Sequence, residues 1–184
     1  MGVRAAKSTV AMPSVGDNTP TFWSETTSPL GRLYIATNEQ GLCAIKFGRL
    51  EPDVKSLFRS RLQRERKTNL SNQVCAQLEE YFSGRRRIFD LPLDLSSLTP
   101  FQRKVLAVTS RIPWGEVWSY QRVANEMAQA KSSRPVGQAL GRNPIPIVIP
   151  CHRVVASDGS LGGYCGKSGL DLKRWLLRHE GVPV

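Results

Sequence analysis

Hydrophobic positions along the chain change period more than once. Residues 32–36 and 42–47 are short β-prone runs separated by Asn38-Glu39-Gln40-Gly41, which predicts a hairpin. Leu57, Phe58 and Leu62 then lie at helical spacing, predicting a helix over 53–63. A second helix is expected over 71–82, stopped at Gly84. Residues 88–93 read as a returning strand that contains a proline. From Leu98 helical spacing dominates. Thr99 is a capping residue, Pro100 suits a first helical position, and Phe101, Val105 and Val108 form a stripe. Ile112-Pro113-Trp114-Gly115 breaks the chain. Ser119 can cap a helix through Val123, Ala124 and Met127, and Ser132 or Ser133 another through Val136, Ala139 and Leu140. A final helix over 172–180 stops at Gly181 and Pro183.

This order gives an α+β protein: a tail over 1–20, a small α+β unit over 21–95 and a helical unit over 98–184. The two short helices after Ser119 have the spacing of a helix-turn-helix, although two adjacent helices are also common in ordinary cores.

Composition narrows the function. Hydrophobic residues make up 40% and charged ones 22% of 184 residues, ordinary values for a folded chain. Apolar runs are too short for a membrane span, and residues 1–20 lack the apolar core of a secretory signal. The net charge of +11 points to a polyanionic partner, nucleic acid first. Basic residues are dense at 59–67 and at Arg85-Arg86-Arg87; the first run reads as a solvated helix face. The four cysteines (Cys43, Cys75, Cys151, Cys165) include no Cys-X-X-Cys pair, and His152 and His179 are the only histidines. A structural metal is therefore not expected, and a reducing compartment is.

The chemistry concentrates in residues 143–155, where three prolines punctuate an apolar run before Cys151-His152-Arg153. Ile147-Val148-Ile149 is expected to be buried and extended, with Pro150 ending it and turning the chain at Cys151. A thiol becomes a strong nucleophile as thiolate, which nearby cations, a general base or a helix N-terminus favour. Adjacent Cys151 and His152 side chains diverge, so a water is the easier link between them. A histidine used as base needs a third group to fix its tautomer, and Glu180 is a candidate. The same residues also fit an inert buried cysteine beside a core histidine; spacing alone does not choose.

Pro150-Cys151-His152-Arg153-Val154 resembles the signature of the O6-alkylguanine-DNA alkyltransferases (methylated-DNA–protein-cysteine methyltransferases). Thr99-Pro100-Phe101-Gln102, Ile112-Pro113-Trp114-Gly115-Glu116-Val117, Ser119-Tyr120, Arg134-Pro135-Val136-Gly137, Asn143-Pro144 and Trp175-Leu176-Leu177-Arg178-His179-Glu180-Gly181 are similar to further family motifs, in the family's order. The resemblance implies a ribonuclease-H-like N-terminal domain and a winged-helix-like DNA-binding and catalytic domain. It implies irreversible, stoichiometric transfer of an alkyl group from O6-alkylguanine in duplex DNA, with O4-methylthymine as a second candidate substrate. It implies that minor-groove binding and base flipping precede the transfer and that no cofactor is used.

The residue roles are also those the resemblance implies. Cys151 is the acceptor, His152 the base acting through a water, Glu180 its orienting group and Asn143 the brace of the turn. Tyr120 donates to the guanine ring. Pro146, Val154, Tyr164 and Cys165 line the substrate pocket, Val154 and Cys165 through main-chain groups. Arg134 enters the base stack, and the helix carrying Gly137, Ala139 and Gly141 approaches the groove closely. The expected partner is double-stranded DNA bound by a monomer, with cooperative binding left open, in the cytoplasm, or in the nucleus of a eukaryote. The 164–169 loop is about two residues longer than the common family loop.

Three rivals remain at this level. A lesion-binding relative without transfer activity would lack the acceptor cysteine. A cysteine hydrolase would need an oxyanion hole, which no segment identifies. A transcriptional regulator of this family would carry an extra cysteine-rich domain, for which the length leaves no room.

Overall fold

A computed structural model of the chain describes residues 20–48, 62–63, 68–164 and 169–184. The tail over 1–20, most of the helix expected over 53–63, the basic run after Arg59 and Cys165 lie outside the described residues, apart from Pro20 and residues 62–63.

The N-terminal unit is built on β1 (Thr21–Ser28), β2 (Gly31–Thr37), β3 (Leu42–Phe47) and the short β4 (Leu62–Gln63), in sheet order β3-β2-β1-β4. The expected hairpin is β2–β3, antiparallel with Ile35 opposite Ile45. β1 pairs antiparallel with β2, and β4 runs parallel to β1. Residues 62–63 are thus strand, where helical spacing predicted helix; pairing with β1 overrides local periodicity there. Helix α1 (Asn69–Phe82) begins two residues before its expected start, because Thr68 and Ser71 form a reciprocal capping box. Its stripe of Val74, Leu78 and Tyr81 is buried.

The strand expected over 88–93 reduces to one bridge, Leu42 with Leu93. A proline at 92 cannot donate to a ladder. The Leu42 N–H instead donates to the Pro92 carbonyl at 2.8 Å, and the Asp94 N–H returns to Leu42 at 3.0 Å. Gly41 permits this approach: a Cβ there would stand 2.5 Å from the Pro92 oxygen.

The second unit holds α2 (Pro100–Thr109), β5 (Trp118–Ser119), α3 (Tyr120–Glu126), α4 (Ser133–Leu140), β6 (Val154–Val155) and α5 (Gly169–His179). The caps at Thr99 and Ser119 form as expected: Thr99 in a box with Gln102, Ser119 accepting from the Arg122 N–H at 3.0 Å. β5 and β6 pair in parallel, Trp118 opposite Val154, which holds the start of α3 beside the end of the Cys151 segment. One hydrophobic core runs through both units, from Leu33 and Ile45 to Val154 and Leu176. The Ile45 N–H donates to the Pro144 carbonyl at 2.9 Å, tying the sheet to the loop before Cys151.

Candidate active site

Residues 147–149, expected to be extended, lie instead in a tight turn over 145–149. The Ile149 N–H donates back to the Ile145 carbonyl at 3.0 Å, and Ile147 sits at φ 75°. A β-branched residue in the left-handed region costs about 1–3 kcal/mol and persists only where its surroundings over-determine it. Asn143 supplies that determination. Its carbonyl oxygen accepts from the Ile145 N–H at 3.0 Å, and its amide donates to the Ile149 carbonyl at 2.9 Å. The same amide lies 3.1 Å from the Cys151 sulfur as donor. Asn143 therefore holds the turn and points an N–H at the thiol.

Cys151 opens a single 3-10 turn over Cys151–Arg153, with all three residues buried. Burial pushes the thiol pKa up; the Asn143 hydrogen bond, the charge of Lys173, the backbone N–H and a hydrogen bond from Tyr164 pull the other way. Lys173 is fully buried, with its ammonium donating to the Val154 carbonyl at 2.5 Å and to the Leu161 carbonyl.

His152 is fully buried. Its Nε2 lies 2.8 Å from Glu180 Oε1. Arg153 grips the same carboxylate with Nε at 2.7 Å and Nη2 at 3.0 Å, and caps the Ile112 carbonyl with Nη1 at 2.6 Å. Tyr81 of α1 donates to Glu180 Oε1 at 2.8 Å. Burial alone would raise Glu180, but hydrogen bonds and charge from His152 and Arg153 hold it down at about 2. Burial lowers His152, against the pull of Glu180 and with help from Arg153 and Lys173, so the ring is neutral at pH 7. An ionised carboxylate only accepts, so Nε2 carries the proton and Nδ1 presents a lone pair. Nδ1 is buried and makes no hydrogen bond among the described residues.

Tyr120, at the start of α3, is half-buried. Burial, then the proximity of Cys151, raises its pKa, so the hydroxyl stays protonated and able to donate. Gly162 makes room for it at φ 63°: a Cβ there would stand 2.9 Å from the hydroxyl. Tyr120 also borders an open cleft of about 370 Å³ whose walls include Ser133, Arg134, Gly137, Ala156 and Ser157. One tyrosine thus links the thiol to a surface cleft headed by an exposed arginine in the first turn of α4.

The structure brings Cys151, His152, Glu180, Asn143, Tyr164 and Tyr120 into one neighbourhood. Val154 and Pro146 are buried beside it, and the Val154 carbonyl is already engaged by Lys173. Arg134, Gly137 and Gly141 remain accessible. Ala139, expected on the groove-facing side, does not: it follows Val136 by three and precedes Leu140, so helical geometry turns it into the core at 4% exposure. Sequence reading assigned no role to Lys173, Tyr81 or Gly162. Lys173 left a signal, since a lysine three and four residues before Leu176 and Leu177 lies on their apolar face. Among the described residues no group of three or more His, Cys, Asp or Glu side chains gathers to hold a metal. No described helix is long and apolar enough to cross a membrane.

Fold and site together define a two-part protein: a small sheet domain joined to a helical domain that buries a cysteine and, beside it in sequence, a histidine hydrogen-bonded to a glutamate. Family comparison makes this specific. The model of the 6-O-methylguanine DNA methyltransferase ribonuclease-like domain matches residues 21–95, and that of the family's DNA-binding domain matches residues 100–182. The chain belongs to the 6-O-methylguanine DNA methyltransferase family. A Methanosarcina barkeri methylated-DNA–protein-cysteine methyltransferase is 40% identical, over 83% of this chain and 92% of its own. The constitutive Bacillus subtilis protein of that name is 38% identical, over 88% and 96%. Among solved structures, Mycobacterium tuberculosis OGT in complex with DNA superposes with a TM-score of 0.76 at 33% identity, covering 89% of this chain and 96% of that one. The Pyrococcus kodakaraensis O6-methylguanine-DNA methyltransferase gives 0.61 at 30%, covering 88% and 99%.

Proposed function

We propose that the chain repairs O6-alkylguanine in duplex DNA by moving the alkyl group onto Cys151, once per molecule and without a cofactor. The observation that carries this reading is the Cys151 sulfur, buried, facing an Asn143 N–H at 3.1 Å and followed by a neutral His152 whose far nitrogen is fixed on Glu180. The DNA-bound structural relative and the names of the sequence relatives support the partner and the reaction.

Duplex binding places Arg134 and the accessible Gly137 and Gly141 along the minor groove, where small residues allow close approach. A base within the stack cannot present its alkyl carbon to sulfur, so the lesion is extruded and Arg134 fills the gap. His152 Nδ1 takes the thiol proton through one bridging water, and the imidazolium is stabilised by Glu180. The thiolate attacks the alkyl carbon in line; the C–O6 bond breaks and a C–S bond forms. Tyr120 donates its proton to the leaving guanine as charge builds there. That proton is restored from the relay, so the thiol proton ends on a neutral guanine. Asn143, Tyr164 and Lys173 lower the cost of the thiolate without exposing it to water.

Incubating the protein with a duplex carrying O6-methylguanine and weighing the tryptic peptides tests this. One methyl on the Cys151 peptide per protein is the expected result. Unmodified Cys151 from protein that still binds the duplex would overturn it in favour of a lesion-binding protein without transfer.

A further inference from the structure

The relay carboxylate is shared between the two domains. Glu180 Oε1 accepts from His152 Nε2 at 2.8 Å and Arg153 Nη2 at 3.0 Å, and from Tyr81 Oη at 2.8 Å across 99 residues of sequence. Tyr81 is fully buried and belongs to the N-terminal helix α1. Its backbone also takes part: the Tyr81 carbonyl lies 2.8 Å from His179 Nε2. One residue of α1 therefore holds two successive residues at the end of α5, the second being the relay glutamate. The ring is fixed for the purpose. Trp114 meets it edge-on at 5.3 Å and Phe89 lies at 5.5 Å, while His179 stacks on Trp175 at 5.0 Å.

We infer that Tyr81 is a positioning residue of the transfer reaction, its hydroxyl orienting and partly neutralising Glu180 and so setting the proton affinity of His152. The inference rests on the relay reading above and extends it: the N-terminal domain is a working part of the active site. The physical reason is the sharing of one oxygen. A donor on Oε1 disperses its negative charge and weakens the hold of that oxygen on a protonated His152. Without the hydroxyl, Glu180 carries more uncompensated charge, and the imidazolium form of His152 is favoured. Of the charged and titratable groups around this pair, Arg153, on the same turn, and Lys173 of α5 act on His152 by charge, Tyr81 itself bonds the carboxylate, and Cys151 precedes His152 in the chain. His179 touches Tyr81 from the other side. All but Tyr81 are retained in the test.

Single-turnover methyl transfer from an O6-methylguanine duplex is followed against pH for the wild-type chain, for Tyr81→Phe, and for a chain with 3-fluorotyrosine at position 81. Tyr81→Phe should move the acidic limb up by about half to one pH unit, which slows transfer about three- to tenfold on that limb. Fluorotyrosine keeps the ring and sharpens the donor, so it should move the limb down; it decides alone if Tyr81→Phe does not fold. A limb that stays at the wild-type position in a folded variant, or a rate that falls equally at every pH, overturns the inference. Transfer by wild type together with an unmoved limb refutes the role of Tyr81 alone. Absence of transfer by wild type refutes the relay reading itself.

Discussion

Cys43 on β3 and Cys151 on its 3-10 turn are both thiols at the border of the core, and burial raises the pKa of both. Their neighbours separate them. At Cys43 the charge of Asp94 adds to burial, a backbone hydrogen bond at Asn38 being the one weaker pull downward, and the thiol is pushed up to about 12. Its own proton goes to the Gly41 carbonyl at 3.5 Å. At Cys151 every other influence opposes burial: the Asn143 amide, the Lys173 ammonium, a backbone N–H and Tyr164. Depth therefore does not separate the two thiols. The sign of the groups around the sulfur does.

The most severe test of that contrast exchanges the two sulfurs for oxygen. Cys151→Ser should abolish methyl transfer, because a hydroxyl in this setting is almost wholly un-ionised. Cys43→Ser should leave the transfer rate within about twofold and cost roughly 1 kcal/mol of stability, as is common for a conservative change at a partly buried site. Peptide masses after reaction with the methylated duplex read both. Methyl found on the Cys43 peptide, or loss of transfer on changing Cys43 alone, breaks the contrast.

A finer test removes only the field. Lys173→Met keeps length and apolar bulk but withdraws the buried charge. Transfer should slow about a hundredfold, the scale of losing one preorganised electrostatic contact. Labelling of Cys151 by iodoacetamide should shift to higher pH, while that of Cys43 should not move. The Val154 and Leu161 carbonyls lose a donor, so stability should fall by about 1–3 kcal/mol. An unshifted labelling profile would mean that Lys173 only ties the loop down and does not act on the sulfur.

The same contrast shows what the sequence could and could not disclose. Local rules carried far: the β2–β3 hairpin, the caps at Thr99 and Ser119, the stop of α1 before Gly84 and the apolar stripe of α2 all derive from spacing and turn chemistry. The cluster of Cys151, His152, Asn143 and Glu180 was legible through family motifs. Three things were not. Ile147 sits in a left-handed turn that no β-branched residue announces; its cause is Asn143, reaching round from the side. Residues 62–63 are strand only because β1 is beside them. Tyr81 reads as one more position in a helical stripe, and its partner, Glu180, is known only once both domains are assembled. Ala139 failed for a simpler reason, since its period with Val136 already placed it inside.

The smallest expected effect concerns Cys43 and alkali. A group whose folded pKa lies above its unfolded value gives stability that is complete below the unfolded value and is lost as pH rises through the folded one. For Cys43 that window runs from 9.0 to about 12. Wild-type stability, measured by urea unfolding at pH 8 and again near pH 11, should therefore fall more steeply than that of Cys43→Ala. Cys151, Tyr81 and Tyr120 also lie above their ordinary values and add to the same alkaline slope, but they are present in both chains and cancel in the difference. The remainder belongs to Cys43 and, for a half-buried side chain, should be under about 1 kcal/mol per pH unit. Equal slopes would mean that Cys43 reaches solvent as readily in the fold as out of it. Asp94 and burial would then have no hold on this sulfur.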